Sequence, residues 1–398
     1  MYQKLISLLL CFLLLTGCSK KPPAEEPTAA QPNITATLAV CGDAMSHMPQ
    51  THDAHNAQTD TYNYIPMMEA ARPWVESADY AVVNLETTFS GGPEYSGFPA
   101  FNSPDALGSA LKAIGFDLVS TANNHCLDHR YDGMARTLDV LDSQGLAHVG
   151  TYRSSEERST NHRGVFLADV GGIQVAFLSY TYGTNGIPVS KSHTGTVNIF
   201  HKDYLTDAEI LADSLLYRDL KAAKALKPDL IAVLMHWGEE YETKQNDDQE
   251  EVADFLFRHG ADIILGSHPH VLQPMEQRTV TDAEGNTRTG FVCWSLGNFI
   301  SAQNGRHTDT TVVLRLTLSK NPNTGVSTVT DVQYVPMFML DREREIDGVR
   351  YTLLDARKSI QDYEAQAPDA VSPKTYEQLL DCVSHCQEIL GTEWEQGQ

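Results

Sequence analysis

Polar side chains that could bind a metal ion follow five separate apolar runs of the sequence. The clearest case is Asn124-His125, which comes shortly after the apolar run from Phe116 to Val119. In an α/β protein, ligands and catalytic groups gather at the carboxyl ends of the strands. Amide and imidazole groups are costly to bury without partners. We therefore expect this stretch to belong to a site, because a hydrophobic core does not need such residues.

Taken together, the five runs supply carboxylates, amide oxygens and imidazoles. The candidates are Asp43, Asn84, Glu86, Asn124, His125, His236, His268 and His270. This mixture suits Zn²⁺, Mn²⁺ or Fe ions and needs no thiolate. The set is too large for one tetrahedral ion with an open position, and it fits two ions bridged by a carboxylate. A single histidine after a strand is more often structural, so the prediction depends on the coincidence of five such stretches.

The order of apolar and amphipathic segments predicts an α/β domain, because strands alternate with helices. Strands are expected at residues 36–42, 80–83, 116–119, 165–170, 173–180, 230–235, 262–265, 291–294, 310–319 and 327–335. Helices are expected at residues 64–77 with a break at Pro73, 104–114, 131–144, 206–224 and 247–259. Ser103 is expected to cap one helix and Gly115 to end it. Gly171-Gly172 predicts a hairpin turn.

Charge and cysteine content exclude two classes of protein. The formal net charge is −23, whereas binding of nucleic acid needs clustered Lys and Arg to neutralise phosphates. The cysteines beyond the leader are odd in number and irregular in spacing, which does not fit a disulfide framework. Cys382 and Cys386 are four residues apart in a helical segment and share a face. They are expected to be packed core residues, with pairing to something else left open.

The first residues have the features of a lipoprotein leader. Lys4 precedes an apolar stretch at 6–15 that is too short to span a bilayer stably. It ends in Leu15-Thr16-Gly17-Cys18, which resembles a bacterial lipobox and implies cleavage before Cys18 and lipid attachment to its sulfur. We therefore expect a signal peptide at 1–17 and a disordered, proline-rich tether at 18–35. An uncleaved membrane anchor is the alternative.

Six motifs carry a family resemblance: GDAMSH, NLET, ANNHCLD, HWGEEY, GSHPHVLQP and SLGNFI. This series resembles the CapA family of bacterial poly-γ-glutamate capsule-synthesis proteins, over roughly residues 36–340. The family is in turn similar to calcineurin-like metallophosphoesterases. The resemblance implies a four-layer α/β sandwich, with two mostly parallel or mixed sheets flanked by helices. A helical C-terminal extension is expected at 341–398.

The resemblance also implies roles for the motif residues. The implied metal ligands are Asp43, Glu86 as the bridging carboxylate, Asn124, His236, His268 and His270. His125 resembles the catalytic acid or the group that stabilises an oxyanion. Three positions depart from the phosphoesterase pattern: Met45 stands where that pattern has a histidine, the bridging residue is a glutamate, and Ser267 and Pro269 surround the last histidines. One ion, or a protein that only binds, therefore stays open. Whether His47 reaches the site in place of the missing histidine also stays open, because the spacing does not show it.

The implied function is a cell-surface lipoprotein of poly-γ-glutamate capsule synthesis or export, which acts on the polymer by metal-assisted hydrolysis or transfer. Its expected partners are the anionic polymer, the extracytoplasmic face of the cell membrane and membrane subunits of a capsule synthase. The candidate substrate contacts are Asn84, Tyr182, Trp237 and Glu240, with core packing as the alternative for the aromatic residues. Two other functions stay open: a polymer-binding scaffold without catalysis, and a lipoprotein phosphoesterase with another substrate.

Overall fold

The computed structural model describes residues 31–346 and 349–396, with side chains outside 342–349. The predicted signal peptide at 1–17 and the predicted lipidation site Cys18 therefore lie outside the described residues, as does most of the tether expected at 18–35. Among the described residues, no helix is long and apolar enough to cross a membrane.

The strands follow the expected order along the chain. They are β1 (Ile34–Ala44), β2 (His55–Asn56), β3 (Thr61–Tyr62), β4 (Tyr80–Leu85), β5 (Leu118–Ser120), β6 (Ala147–Val149), β7 (Phe166–Val170), β8 (Ile173–Thr181), β9 (Leu230–His236), β10 (Ile263–Ser267), β11 (Leu272–Thr281), β12 (Thr287–Leu296), β13 (Asn298–Ile300), β14 (Thr310–Lys320), β15 (Ser327–Ile346) and β16 (Val349–Asp355).

Helices fill most of the connections between these strands. They are α1 (Met48–Ala54), α2 (Ile65–Met68), α3 (Arg72–Glu76), α4 (Ala106–Ile114), α5 (Arg130–Ser143), α6 (Ser155–Thr160), α7 (Asp213–Ala225), α8 (Asp247–His259), α9 (Ala356–Glu364) and α10 (Pro373–Leu390), with short 3₁₀ turns at Glu69–Ala71, Lys191–His193 and Thr392–Trp394.

The strands form two large mixed sheets. The larger has the order β16-β15-β14-β1-β4-β5-β6, with β13 added beside the end of β1. Strands β1, β4, β5 and β6 are parallel, whereas β14 to β16 are antiparallel. The smaller sheet has the order β11-β12-β10-β9-β8-β7, with a parallel centre and antiparallel edge strands. Strands β7 and β8, at one edge of the smaller sheet, form the hairpin predicted at Gly171-Gly172, which is confirmed.

A continuous apolar core lies between the two sheets. Leu38 and Leu118 of the larger sheet pack with Phe177 and Leu234 of the smaller one. The other face of the larger sheet packs against α2 to α5, and the other face of the smaller sheet packs against α7 and α8. Burial on both faces explains why the central strands are almost wholly apolar. The expected α/β fold, two mixed sheets flanked by helices, is confirmed.

Two local predictions were wrong. The helix expected at 206–224 begins only at Asp213, because the Asp203 carboxylate accepts backbone N–H groups of residues 209 and 210 and holds that segment as a loop. Asp105, and not Ser103, precedes α4, since the Ser103 hydroxyl is 2.8 Å from the Thr87 hydroxyl. Gly115 ends α4 with φ 114°, as predicted.

The C-terminal segment packs against the inter-sheet core. The expected boundary at residue 340 falls inside β15, and the division into residues 36–340 and 341–398 stays a prediction. Helix α10 contributes Leu379, Cys382 and Cys386 to the core, all nearly inaccessible to solvent. The packing role expected for the two cysteines is therefore confirmed.

Replacing Leu379 with Ala tests whether this segment is part of the folding unit. Leu379 is fully buried, so Leu379→Ala is expected to lower the free energy of unfolding by about 2–5 kcal/mol. Urea unfolding followed by circular dichroism measures the change. The neighbouring Leu380 is 39% exposed, so Leu380→Ala is the matched control. A stability equal to the control's would show that residues beyond 340 fold separately.

Candidate metal centre

The candidate residues meet where the parallel strands of both sheets end. In the larger sheet Asp43 is paired with Asn84 across β1 and β4. In the smaller sheet His236 is paired with Ser267 across β9 and β10. The two sheets face each other, so the ends of these four strands lie close together although they are distant in sequence.

Gly42 shapes the strand end that presents Asp43. The register of β1 against β4 shifts between Cys41 and Asp43, which marks a β-bulge. The Asp43 N–H donates to the Gly297 carbonyl at 3.0 Å. A Cβ atom on Gly42 would lie 1.8 Å from that same oxygen, so only glycine fits this position.

Glu86 has the most unusual surroundings of the candidate ligands. It is fully buried, and neither carboxylate oxygen has a hydrogen-bond partner in the described part of the chain. Its nearest cationic groups are the imidazoles of His236 and His270, whose Nε2 atoms lie 3.5 and 4.0 Å from Oε1. A buried carboxylate without hydrogen bonds is strongly destabilising unless a cation compensates it. The environment of Glu86 therefore fits a bound cation.

Two groups of potential ligand atoms share Glu86. One is Glu86 with His268 and His270, and the other is Glu86 with Asp43 and His236. Within each group the ligand atoms lie within 4.8 Å of one another. The shared carboxylate is the arrangement needed to bridge two ions. These clusters favour a divalent metal, and the donors are imidazole and carboxylate atoms.

Two more buried atoms face the centre without partners among the described residues: Asn84 Oδ1 and His268 Nδ1. The Asn84 amide donates to Asp43 Oδ1 at 2.7 Å, which leaves its oxygen free. Asn124 Oδ1 lies 3.0 Å from His236 Nε2, so these two candidate ligand atoms face the same point. All the ligands expected from the sequence are thus brought together.

Further residues orient the ligands, and the sequence did not single them out as site residues. Ser267 Oγ lies 3.0 Å from His236 Nδ1, and the Asn298 side-chain oxygen lies 3.0 Å from His270 Nδ1. Such contacts fix the ring orientation and leave the other nitrogen for a metal. The position of Asn298 after Gly297 at a strand end was the only sequence signal for it.

The backbone around the last two histidines is strained. His268 has φ 100° and His270 has φ 61°, in the region that side-chain-bearing residues rarely adopt. The His268 N–H donates to Asp43 Oδ2 at 3.1 Å, which ties this turn to the other sheet. Strain of this kind persists only where the surrounding structure holds it, and it clusters at functional sites.

His125 stands beside the ligands with its own orienting partner. Its Nδ1 lies 2.7 Å from Asp128 Oδ2, and that carboxylate also accepts the N–H of Phe101 at 2.6 Å. Burial lowers the pKa of His125, but the hydrogen bond to Asp128 and the negative charge of Glu86 outweigh it. The pKa therefore lies above its ordinary value, which suits a proton donor. Asp128 therefore orients the ring of the catalytic candidate.

Burial and neighbouring charges shift the pKa values of the other buried groups in different directions. Burial lowers the pKa of His270, but Glu86 and Asp43 raise it to about 9. Burial and the neighbouring imidazoles hold the pKa of His268 well below its usual range. Burial alone would raise the pKa of Asp43, yet His270 and His236 bring it below the ordinary value. The pKa values of neighbouring groups in the centre are thus shifted in opposite directions by the carboxylates and by the crowding of imidazoles.

The structure separates the four candidate substrate contacts. Asn84 lies within the centre itself. Tyr182 and Glu240 line an open cleft beside it. Trp237 does not: its indole is fully buried, and its N–H donates to the Trp294 carbonyl at 3.0 Å. The substrate contact expected for Trp237 is corrected to core packing under the smaller sheet.

His47 does not take the place of the missing histidine. Its Nδ1 accepts the N–H of Ala302 at 3.3 Å, and its ring packs edge-on against Phe101 at 5.1 Å. Phe101 in turn packs edge-on against His125 at 4.8 Å. The ring of His47 therefore packs on Phe101, and Phe101 in turn contacts His125 of the centre. Met45, at the position of the expected histidine, is buried.

A protein-family model described as "Bacterial capsule synthesis protein PGA_cap" matches residues 37–303. Capsule biosynthesis protein CapA of Bacillus anthracis is 25% identical over 325 residues, covering 79% of this chain and 72% of that protein. PGA biosynthesis protein CapA of Bacillus subtilis (strain 168) is 30% identical over 223 residues, covering 56% of this chain and 52% of that protein. A structure described as a novel phosphatase of Mycoplasma pneumoniae is 12% identical, with a TM-score of 0.39, and covers 76% of this chain and 93% of that one.

Replacing Gly42 with Ala tests the close approach at the bulge. The added methyl group would overlap the Gly297 carbonyl, so Gly42→Ala is expected to cost about 1–3 kcal/mol of folding stability. Thermal unfolding measures it. Gly183 is the matched control, since a Cβ atom there would make only ordinary contacts from 3.4 Å outward. Equal melting temperatures for the two variants would contradict the predicted clash.

Replacing Glu86 with Gln separates metal binding from folding. In metal-free protein Glu86→Gln is expected to unfold at an equal or higher temperature than the wild type, because a buried unpartnered charge is removed. Added Mn²⁺ or Zn²⁺ is expected to raise the melting temperature of the wild type but not of the variant. Elemental analysis then gives the bound metal. The exposed Glu156→Gln is the control, and full metal binding by Glu86→Gln would disprove the assigned ligand role.

Proposed function

Because the chain belongs to the family of bacterial capsule synthesis proteins, we propose that it is a metal-dependent hydrolase or transferase acting on poly-γ-glutamate. The family membership rests on the family model, which matches more than half of the chain. The names of the Bacillus relatives refer to capsule and PGA biosynthesis. Participation in capsule synthesis or export of the polymer is the corresponding cellular role.

The observation that carries the catalytic part is the buried, unpartnered carboxylate of Glu86 within two groups of ligand atoms. The residues that would hold metal are Asp43, Glu86, Asn124, His236, His268 and His270. Their imidazole, carboxylate and amide donors suit Mn, Zn or Fe. When bound, such ions supply Lewis-acid stabilisation of negative charge on substrate oxygens.

The protein's own contribution to the reaction centres on His125. Its raised pKa keeps a proton on the ring, and Asp128 holds the ring in one orientation. The imidazole can donate that proton to a leaving amine or steady an oxyanion as charge develops. The Asn185 amide, 3.4 Å from both ring nitrogens, places a further donor at the same point.

The proposed location is the extracytoplasmic face of the cell membrane. The lipobox-like sequence before Cys18 and the polar, proline-rich residues 18–35 support a lipid anchor followed by a tether. This placement would bring the domain to a nascent polymer and to membrane subunits of a capsule synthase. Labelling with a radioactive fatty acid, compared between wild type and Cys18→Ala, tests the anchor.

Turnover of γ-linked glutamate polymer by purified protein tests the proposed activity. His125→Ala is expected to lower kcat by about 10²–10⁴ while metal content stays unchanged, because the side chain is a proton donor and not a ligand. Chromatography of the oligomers gives the rate, and elemental analysis gives the metal. The exposed His52→Ala is the control. Asp128→Asn is expected to reduce the rate less, since it loosens the orientation of the ring and lowers the pKa of His125 but leaves the imidazole in place.

Three outcomes discriminate the alternatives. Undiminished turnover after chelation would end the metal-dependent proposal. Binding of the polymer without turnover in any metal would indicate the scaffold function. Hydrolysis of aryl phosphates in place of γ-glutamyl bonds would indicate a phosphoesterase.

A further inference from the structure

A large cleft opens beside the metal centre and is strongly acidic. It has a volume of about 890 Å³, and it reaches the centre at His268. We name it the acidic cleft. Its seven carboxylates are Asp207, Glu209, Glu239, Glu240, Asp247, Asp248 and Glu251. No lysine or arginine lines it, and none of the seven forms an ion pair with Lys or Arg among the described residues.

We propose that the acidic cleft binds a protonated amine, and that it receives the amino-terminal end of the polymer chain. The second part rests on the proposed function, whereas the first rests on the cleft alone. Seven carboxylates around one opening create a negative potential that concentrates cations and repels anions. A cationic ligand group is therefore the one that this surface favours.

A histidine in the wall points independently to a ligand. His201 lines the cleft and is only 3% exposed. Its Nε2 lies 3.0 Å from the Asp248 carboxylate, whereas Nδ1 is buried and has no hydrogen-bond partner in the described part of the chain. Buried polar atoms of proteins are almost always paired. The wall of the cleft therefore holds one polar atom that the described residues leave without a partner.

The arrangement of the carboxylates favours an organic ammonium over a metal ion. Groups of three potential ligand atoms within 4.8 Å occur at the metal centre, and none is formed by the cleft carboxylates in the described residues. The negative charge is thus spread over a wide opening. Three phenol rings also line it, from Tyr182, Tyr204 and Tyr241. Aromatic faces attract ammonium groups, especially where these are partly desolvated.

The charge of the cleft also determines which part of a polymer can enter. Each interior residue of γ-linked polyglutamate carries a free α-carboxylate, which the cleft carboxylates would repel. The amino-terminal residue also has a free α-carboxylate, but its ammonium group offsets that charge, so it carries no net negative charge, unlike each interior residue. Since His268 belongs both to the cleft wall and to a candidate ligand group, a chain held by its amino end presents its first amide bonds to the centre.

The experiment compares two γ-linked glutamate pentamers, one with a free amino terminus and one that is N-acetylated. The free pentamer is expected to bind about tenfold more tightly, as measured by isothermal titration calorimetry in a buffer of fixed ionic strength. This preference should disappear in the cleft variant Asp207→Asn/Glu209→Gln/Glu251→Gln. The matched control Asp331→Asn/Asp369→Asn/Glu377→Gln removes the same charge from exposed, unpaired positions elsewhere and should keep the preference. Measurable and equal binding of the two pentamers by the wild type would overturn the assignment of the polymer's amino-terminal end to the cleft.

Spermidine is the second probe, because it carries amines without any polymer. Wild type and control are expected to bind it saturably, and the cleft variant about tenfold more weakly. This result together with no binding of either pentamer would uphold the amine site and remove poly-γ-glutamate as the substrate. Absence of saturable spermidine binding, or equal binding by both triple variants, would refute the amine site itself.

Discussion

A buried carboxylate without a partner is the constraint on which the rest of the centre depends. Glu86 is inaccessible to solvent, and its Oε1 atom lies 3.5 Å from His236 Nε2 and 4.0 Å from His270 Nε2. Leaving such a charge uncompensated costs several kcal/mol, which a fold of marginal stability tolerates only for a function. The strained turn at His268 and the bulge at Gly42 serve the same arrangement, because both bring further ligands to Glu86.

The centre exists only when the two sheets have packed together. Asp43 comes from the larger sheet, yet it accepts the backbone N–H of His268 from the turn after the smaller one. The inter-sheet core holds these strand ends at a fixed separation, because protein interiors are close-packed and yield little. Positioning of the ligands is therefore a property of the whole sandwich, including the C-terminal helices that pack on its core.

The groups on the two sides of the centre differ in charge and in what they can bind. On one side, His125 with Asp128 provides a positioned proton donor. On the other, the acidic cleft excludes anions and attracts cations. The net charge of −23 does not indicate where on the surface the carboxylates lie. The structure places seven carboxylates around one opening. At this place the negative charge favours cationic ligands over anionic ones.

Residue types at strand ends were enough to predict the fold class and to select Asp43, Glu86 and His236, because strand ends carry ligands in any layered α/β protein. Tertiary structure alone decided the rest. Trp237 directly follows His236, the last residue of β9, yet its indole is buried in the core and donates to the Trp294 carbonyl, whereas His236 lies at the centre. The partners of the ligand rings and the acidic cleft depend on contacts between segments distant in sequence, which local sequence patterns do not encode. The late start of α7 depends on a local turn, in which the Asp203 carboxylate accepts the N–H groups of Glu209 and Ile210.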